Sequence, residues 1–178
     1  MYSRQMKSSH LDTVAYEIDM LRFSLMRLGQ APPTWVARDK DVYIEAFLLH
    51  YRNLVRFFSG NEHRSNDLSM KKRRSDWAGR DVTDEEAAKY RQEAAPLDEK
   101  YFKTISVYLQ HCTSERMIIK EWPFSDMYNE IQPLVNAFEM DFLKRSPSSM
   151  AHGNVANSTA SVSQPLVRLS SLPRLDKP

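Results

Sequence analysis

The sequence predicts an all-α protein: an up-and-down helical bundle of about four principal helices, followed by a disordered C-terminal tail. Apolar residues recur every three or four positions in four separate stretches, the spacing that lines one face of a helix. Only four glycines occur among 178 residues, too few for a fold built from many tight hairpins or phosphate-cradling loops. Hydrophobic residues make up 42% of the chain, so one ordinary domain with a buried core is expected.

The first helix is predicted over residues 11–28, because its apolar stripe ends just before Gly29. Pro32 and Pro33 follow, and adjacent prolines cannot lie inside a helix. The second helix, over residues 39–58, is the most apolar segment of the chain. Because its apolar surface extends around the cylinder, we expect it to be central and to contact more than one neighbour.

A short polar helix is predicted over residues 84–94. Thr83 precedes it and Glu86 follows three positions later, the arrangement of a capping box. Pro96 is expected to interrupt or restart the helix. A third long helix then follows over residues 97–112, where apolar residues again recur at helical spacing.

The fourth long helix is predicted over residues 124–143. It begins after Pro123, a residue favoured in a first turn, and Pro133 is expected to kink it. The following stretch is dominated by serine, alanine and asparagine, whose burial cannot offset the entropy cost of ordering the chain. The sequence thus divides into a flexible N-terminus, a helical bundle domain and a disordered tail, at residues 1–10, 11–145 and 146–178.

Charge and cysteine content narrow the functional classes. The formal net charge of +2 is too small to indicate a nucleic-acid or membrane partner by itself. Cys112 is the single cysteine and cannot form an internal disulfide, which favours a cytoplasmic protein. No apolar window approaches the length of a membrane span, so no membrane association is expected.

The second helix carries a cluster of polar residues within its apolar sequence. On a helix, His50 and Asn53 share one face, whereas Arg52 and Arg56 share another. A buried polar group without a partner costs about 1 to 3 kcal/mol. Each of these side chains must therefore find a partner, and structural roles between helices are favoured over a functional site.

A second polar cluster closes the third helix, with His111, Thr113 and Arg116. The histidine could transfer a proton and the arginine could hold an anion. A histidine is also favourable at a helix C-terminus and a threonine can cap it, so a structural role is again preferred. His50, His111 and Cys112 lack the paired spacing of metal ligands, and no metal or cofactor is predicted.

A basic run lies between the second and third helices, at Lys71, Lys72, Arg73 and Arg74, with Trp77 nearby. Such residues could hold a phosphate backbone and stack a base, which makes them a candidate nucleic-acid patch. A solvated loop is the more frequent explanation for five residues of this kind.

Three motifs carry a resemblance to a known family: E-x-F-L-L-H-x-R-N-L-x-x-F-F at residues 45–58, H-x-T-x-x-R at 111–116 and K-x-W at 120–122. They resemble an uncharacterised bacterial family of small all-helical proteins, over about residues 11–143. The resemblance implies a helical fold and a cytoplasmic setting, without an activity or catalytic residues.

The Arg52-Asn53 pair within an apolar helix is also similar to the HEPN superfamily, helical bundles that include ribonuclease toxins and phage-defence proteins. In HEPN nucleases a histidine follows this pair four to six residues later on the same helix. Here no histidine occurs between Asn53 and Phe58. The resemblance implies a metal-independent ribonuclease in which Arg52 stabilises phosphate charge and His111 or His50 replaces the missing histidine.

Two functions therefore remain open. The first is a non-catalytic helical binding or interaction module of unknown ligand, with a homodimer or another protein as its partner. The alternative is a HEPN-type ribonuclease acting on RNA. The missing histidine favours the first. Convergence of Arg52, Asn53, His111 and Arg116 on one accessible cleft would distinguish them, because chemistry requires convergence and packing does not.

Overall fold

The computed structural model describes residues 10–30, 32, 34–61, 67–70, 82–110 and 121–144. All regular secondary structure in these ranges is helical, which confirms the predicted all-α fold. The elements are α1 His10–Gly29, α2 Ala37–Ser59, α3 Asp84–Gln110 and α4 Phe124–Phe138, followed by a π-helical turn at Glu139–Leu143. Of the predicted flexible N-terminus, His10 belongs to α1, and residues 1–9 lie outside the described residues, as does the predicted disordered tail.

Successive helices run antiparallel, as expected for an up-and-down bundle. Phe23 of α1 contacts Tyr43 of α2, whereas the earlier Tyr16 contacts the later His50. Helices α2 and α3 are also antiparallel, as shown by the contacts Phe58–Tyr90 and Tyr51–Tyr101. Helices α3 and α4 are antiparallel as well, as shown by the contacts Tyr90–Phe138 and Lys100–Glu130.

The second helix is the centre of the bundle, as its broad apolar surface predicts. It packs against α1, α3 and α4. Five of its large apolar side chains are almost completely buried, whereas two others, Val42 and Leu49, remain exposed; the buried five are Phe47, Leu48, Tyr51, Leu54 and Phe58. A helix with apolar residues on several sides can bury those residues only by contacting several neighbouring helices.

The break expected at Pro96 is wrong, because α3 is one helix from Asp84 to Gln110 with Pro96 inside it. Pro96 lies on the exposed side of α3, as does Gln92 one turn earlier. The Gln92 carbonyl that loses its N–H partner can therefore bind water. Buried Ala94 and Leu97 on either side of the proline keep the same helical face in the core.

The start of α3 follows the predicted capping box. The Thr83 N–H donates to Glu86 Oε2 at 2.9 Å, and the Glu86 N–H donates to Thr83 Oγ1 at 3.2 Å. These two hydrogen bonds satisfy donors that the first helical turn leaves without partners. The polar sequence of this segment is therefore helical from its first turn.

The end of the fourth helix differs from an ordinary α-helix. Helix α4 continues through Pro133 to Phe138, and the chain then forms the π-helical turn Glu139–Leu143. Lys144 ends this turn in the left-handed conformation, with its N–H bonded to the Glu139 carbonyl. π-Helical geometry is rare and occurs mostly as single turns within or next to α-helices, as it does here. None of the described helices is both long and apolar enough to cross a membrane.

Candidate functional site

The polar residues of α2 point toward two different neighbours. His50 and Asn53 both bind Glu17 of α1. Arg52 lies beside Leu97 and Phe102 of α3. The predicted division of these residues between two faces is therefore confirmed, and Arg52 and Asn53 do not converge on one cleft.

The contact with α1 is a hydrogen-bonded cluster around one carboxylate oxygen. Glu17 Oε2 lies 2.7 Å from His50 Nδ1 and accepts a hydrogen bond from Asn53 Nδ2 at 3.1 Å. The Tyr16 ring stands edge-on to the His50 ring, with centroids 5.7 Å apart. The carboxylate supplies the partner that the buried His50 needs within an apolar helix. The sequence analysis did not identify Glu17 as the partner of His50. The only indication in the sequence is that Glu17 directly precedes Ile18, a residue of the apolar stripe of α1.

This cluster has part of the geometry of an acid–base site. A carboxylate bound to one ring nitrogen orients an imidazole and selects its tautomer, so that the other nitrogen can take up a proton. Phosphoryl chemistry would also need a cation near the reacting group. Among the described residues, no lysine or arginine forms an ion pair with Glu17 or hydrogen bonds to His50. The arrangement is sufficient to hold α1 on α2 and incomplete for catalysis.

The contact with α3 is a tightly packed seam. Arg56 lies over the Phe102 ring at 4.2 Å, and its Nη1 is 3.9 Å from Asp98 Oδ1. Burial lowers the pKa of Arg52 below its ordinary value, and the neighbouring charge of Arg56 lowers it further. The space between Arg52 and these α3 residues is too narrow to admit a water molecule. It therefore offers no room for a substrate.

The remaining predicted site residues cannot be placed. His111, Thr113 and Arg116 lie outside the described residues, as do Lys71, Lys72, Arg73, Arg74 and Trp77. Within the described part of the chain, no group of three histidine, cysteine, aspartate or glutamate residues could hold a metal ion.

The structure also contains a buried ion pair that the sequence did not reveal. Arg22 of α1 donates from Nη1 and Nη2 to the two carboxylate oxygens of Glu139, at 2.6 and 2.7 Å, and from Nε to the Tyr128 hydroxyl at 3.2 Å. Glu139 is 0% exposed and Arg22 only 6%. Burial opposes the charge on Arg22, but the hydrogen bonds to Glu139 and Tyr128 outweigh it and raise its pKa. With so little solvent access, this pair fastens α1 to the π-helical turn.

Large apolar side chains remain exposed on the side of the α1–α2 pair that faces away from the core. Tyr16 is 57% exposed, Phe23 43%, Val42 61% and Leu49 40%. Tyr16 and Phe23 reach across to His50 and Tyr43 of α2. Leu49 and Val42 directly precede these two α2 residues in the sequence. We call the surface formed by Tyr16, Phe23, Val42 and Leu49 the outer face.

One end of the outer face is formed by a cation on an aromatic stack. The rings of Trp35 and Tyr43 are stacked with centroids 4.9 Å apart, and the Arg27 guanidinium lies over them at 5.2 and 5.4 Å. Arg27 Nε is buried and has no hydrogen-bond partner among the described residues. The stack holds the guanidinium in place while leaving part of its hydrogen-bonding capacity unused.

Comparison of the chain with protein-family models, curated proteins and solved structures finds no match.

Proposed function

We propose that this chain is a non-catalytic helical interaction module that binds a protein partner through the outer face. The observation that carries the proposal is the exposure of Tyr16 and Phe23 on α1 and of Val42 and Leu49 on α2. The two residues of each pair are seven positions apart and so lie on the same side of their helix. Single exposed apolar residues are common on soluble proteins, but a contiguous group of large ones marks an interaction surface.

The composition of the outer face supports binding to a protein. Aromatic residues and arginine dominate the energetics of protein interfaces, and the face combines Tyr16 and Phe23 with the stacked Arg27 at its end. Complete burial of one large apolar side chain contributes about 1.5 to 3 kcal/mol. Covering several partly exposed side chains can therefore offset a substantial part of the entropy cost of association.

The interior clusters support a non-catalytic role. His50 is held by Glu17, and no lysine or arginine of the described residues bonds to either of them. The gap between Arg52 and α3 is too narrow for a water molecule. Both arrangements satisfy polar groups between helices, as stability requires. The single cysteine favours the cytosol as the place where the module acts.

Site-specific photo-crosslinking in cells tests the proposal. A photoreactive amino acid at Leu49 of the full chain is expected to yield one or a few adducts of defined mass. The matched control position is Lys103, which is exposed on α3, away from α1. Similar adducts from both positions, or no adduct from Leu49, would contradict a partner-binding role for the outer face.

The alternative function is a HEPN-type ribonuclease, and the carboxylate-bound His50 is the observation that favours it. Such an enzyme needs an acid or base and a cation at the same phosphate. His50 faces α1 whereas Arg52 faces α3. We therefore expect purified protein not to cleave single-stranded RNA without metal. Cleavage that disappears in Arg52→Ala and in His111→Ala or His50→Ala would favour the ribonuclease instead.

A further inference from the structure

We propose that residues 166–175 of this chain bind to its own outer face and so limit the access of a protein partner. This inference rests on the proposed function and adds how the outer face is regulated. It follows from an arrangement of apolar and acidic residues that α1 and α2 share, and from the complementary sequence of residues 166–175, which we call the tail segment.

Helices α1 and α2 carry the same arrangement of side chains on the outer face. In α1, Asp19 lies three positions after Tyr16 and four before Phe23. In α2, Glu45 lies three positions after the first residue of the outer face and four before the second. Residues at these spacings share one side of a helix, so each carboxylate lies between two apolar side chains. Asp19 is exposed and Glu45 is half-buried.

The antiparallel packing of α1 and α2 arranges these residues in three bands. Tyr16 and Leu49 form an apolar band at one end, because Tyr16 contacts the residue that follows Leu49. Phe23 and Val42 form a second apolar band at the other end by the same kind of contact. The two carboxylates form an acidic band between them. The apolar bands are two helical turns apart, or about 10.5 Å. In the helical stretches between them the only lysine or arginine is Arg22, which is buried and bound to a glutamate.

The tail segment repeats a short pattern that complements the three bands. Its sequence, L-V-R-L-S-S-L-P-R-L, contains L-x-R-L twice. Its four leucines are three positions apart, which is the period of a polyproline II helix. Pro165 and Pro173 favour this extended conformation over an α-helix. In it, successive leucines lie about 9 Å apart, close to the separation of the apolar bands.

Each repeat therefore fits the outer face with its two leucines on the apolar bands and its arginine at the acidic band. A guanidinium has five N–H donors and can bind two carboxylates at once. Asp19 and Glu45 can accept from it while keeping contacts within the bundle, because a carboxylate has about four acceptor positions. The tail segment contains no acidic residue, so it brings no negative charge to the acidic band.

The tail segment can reach the outer face of its own chain. Glu139 of the π-helical turn is bonded to Arg22 of α1, so Lys144, five positions later, is close to α1. Residues 145–165 join Lys144 to the tail segment, and a flexible chain of that length spans about 25 Å on average. Helix α1 itself is only about 30 Å long. Such a link gives an effective concentration of about a millimolar, so even weak binding covers the outer face.

Photo-crosslinking within the purified full chain tests this binding. A photoreactive amino acid at Leu49 is expected to bond to the tail segment in a product of monomer mass, identified by mass spectrometry after digestion. The matched control position is Lys103, which is exposed on α3 and should give no bond to the tail segment. A Leu49 product without the tail segment would overturn the inference. So would a product that joins Leu49 to the tail segment only between two chains.

Charge reversal tests the role of the acidic band. The double variant Asp19→Lys/Glu45→Lys places lysines opposite the arginines of the tail segment. The double variant Arg168→Glu/Arg174→Glu places glutamates opposite the carboxylates. Because attraction is replaced by repulsion, each double variant should lower the yield of the internal Leu49 crosslink about fivefold or more.

The control and the combination of these variants make the result specific. Glu85→Lys/Glu99→Lys reverses two exposed charges on α3 and should leave the crosslink yield unchanged. A chain with both double variants of the acidic band and the tail segment has the charges exchanged, so it should regain a yield close to that of the natural chain. Recovery also excludes misfolding as the cause of the loss. Equal losses in the control, or no recovery in the combination, would overturn the inference.

Crosslinking in cells separates failure of this inference from failure of the proposed function. In Arg168→Glu/Arg174→Glu the outer face is open more often, so Leu49 should give about threefold more adduct with the partner, or more still. A partner adduct whose yield does not rise would overturn the inference and leave the interaction module intact. An internal crosslink in a chain that gives no partner adduct would reject the proposed function while supporting the binding of the tail segment.

Discussion

Replacement of Phe138 by alanine is expected to lower the free energy of unfolding by about 3 to 5 kcal/mol, the usual cost of removing a buried phenyl ring. Phe138 is completely buried at the end of α4. Its ring contacts four aromatic rings from α2, α3 and the π-helical turn, at centroid distances of 5.0 to 6.5 Å: those of Phe57, Phe58, Tyr90 and Phe142. Because these rings belong to three different elements, the cavity cannot close without moving a helix.

Denaturant unfolding of Phe138→Ala measures this loss, and Met140→Ala is the matched control. Met140 lies two residues away in the π-helical turn but is 54% exposed. Its truncation should change the free energy of unfolding by no more than about 0.5 kcal/mol, as is usual for surface positions. Equal losses in the two variants would mean that Phe138 is not a core residue. The Phe47→Ala and Leu54→Ala variants, which affect two more buried side chains of α2, should cost about 2 to 5 kcal/mol.

Replacement of Arg22 by methionine is expected to cost about 3 to 5 kcal/mol, because it leaves the buried Glu139 carboxylate without its cation. The bidentate ion pair satisfies both carboxylate oxygens, and Glu139 has no exposed surface. Methionine preserves much of the length and packing of the arginine side chain. The loss would therefore report mainly on the uncompensated charge rather than on an empty space.

The double variant Arg22→Met/Glu139→Met shows whether the loss of stability comes from the uncompensated charge or from the changed packing. When both charges are removed, the cost of burying them disappears, and the double variant should be considerably more stable than Arg22→Met alone. The pair formed by Lys100 and Glu130 has a similar separation, 2.7 Å, but is open to solvent. Lys100→Met should therefore cause a far smaller loss. A double variant no more stable than Arg22→Met would show that the charges are not the cause.

The helices could be predicted from the sequence because their signals are local. Apolar spacing of three and four residues, Gly29 after the first stripe and the Thr83–Glu86 capping box depend only on near neighbours in the chain. The opposite directions of Asn53 and Arg52 were likewise predictable, because side-chain direction follows from helical geometry. The partner of each side chain could not be predicted, because it lies on another helix.

The errors and omissions all involve residues distant in sequence. Pro96 interrupts a helix in isolation, but tertiary packing of the residues around it keeps α3 continuous while the proline faces solvent. Glu17 is separated from His50 by 33 positions, and Arg22 from Glu139 by 117. No local pattern distinguishes these glutamates from exposed carboxylates such as those of Asp12 and Glu85.

The sequence by itself determined the helical class, the central position of α2 and the division of its polar residues between two faces, because each of these depends on periodicity within one segment. The tertiary structure alone decided that α3 is continuous, that a π-helical turn carries a buried glutamate and that the exposed apolar residues of α1 and α2 share one surface. The physical reason is that burial and charge pairing are properties of neighbours in space. A residue such as Phe23 has the same helical periodicity whether another helix covers it or, as here, leaves it exposed.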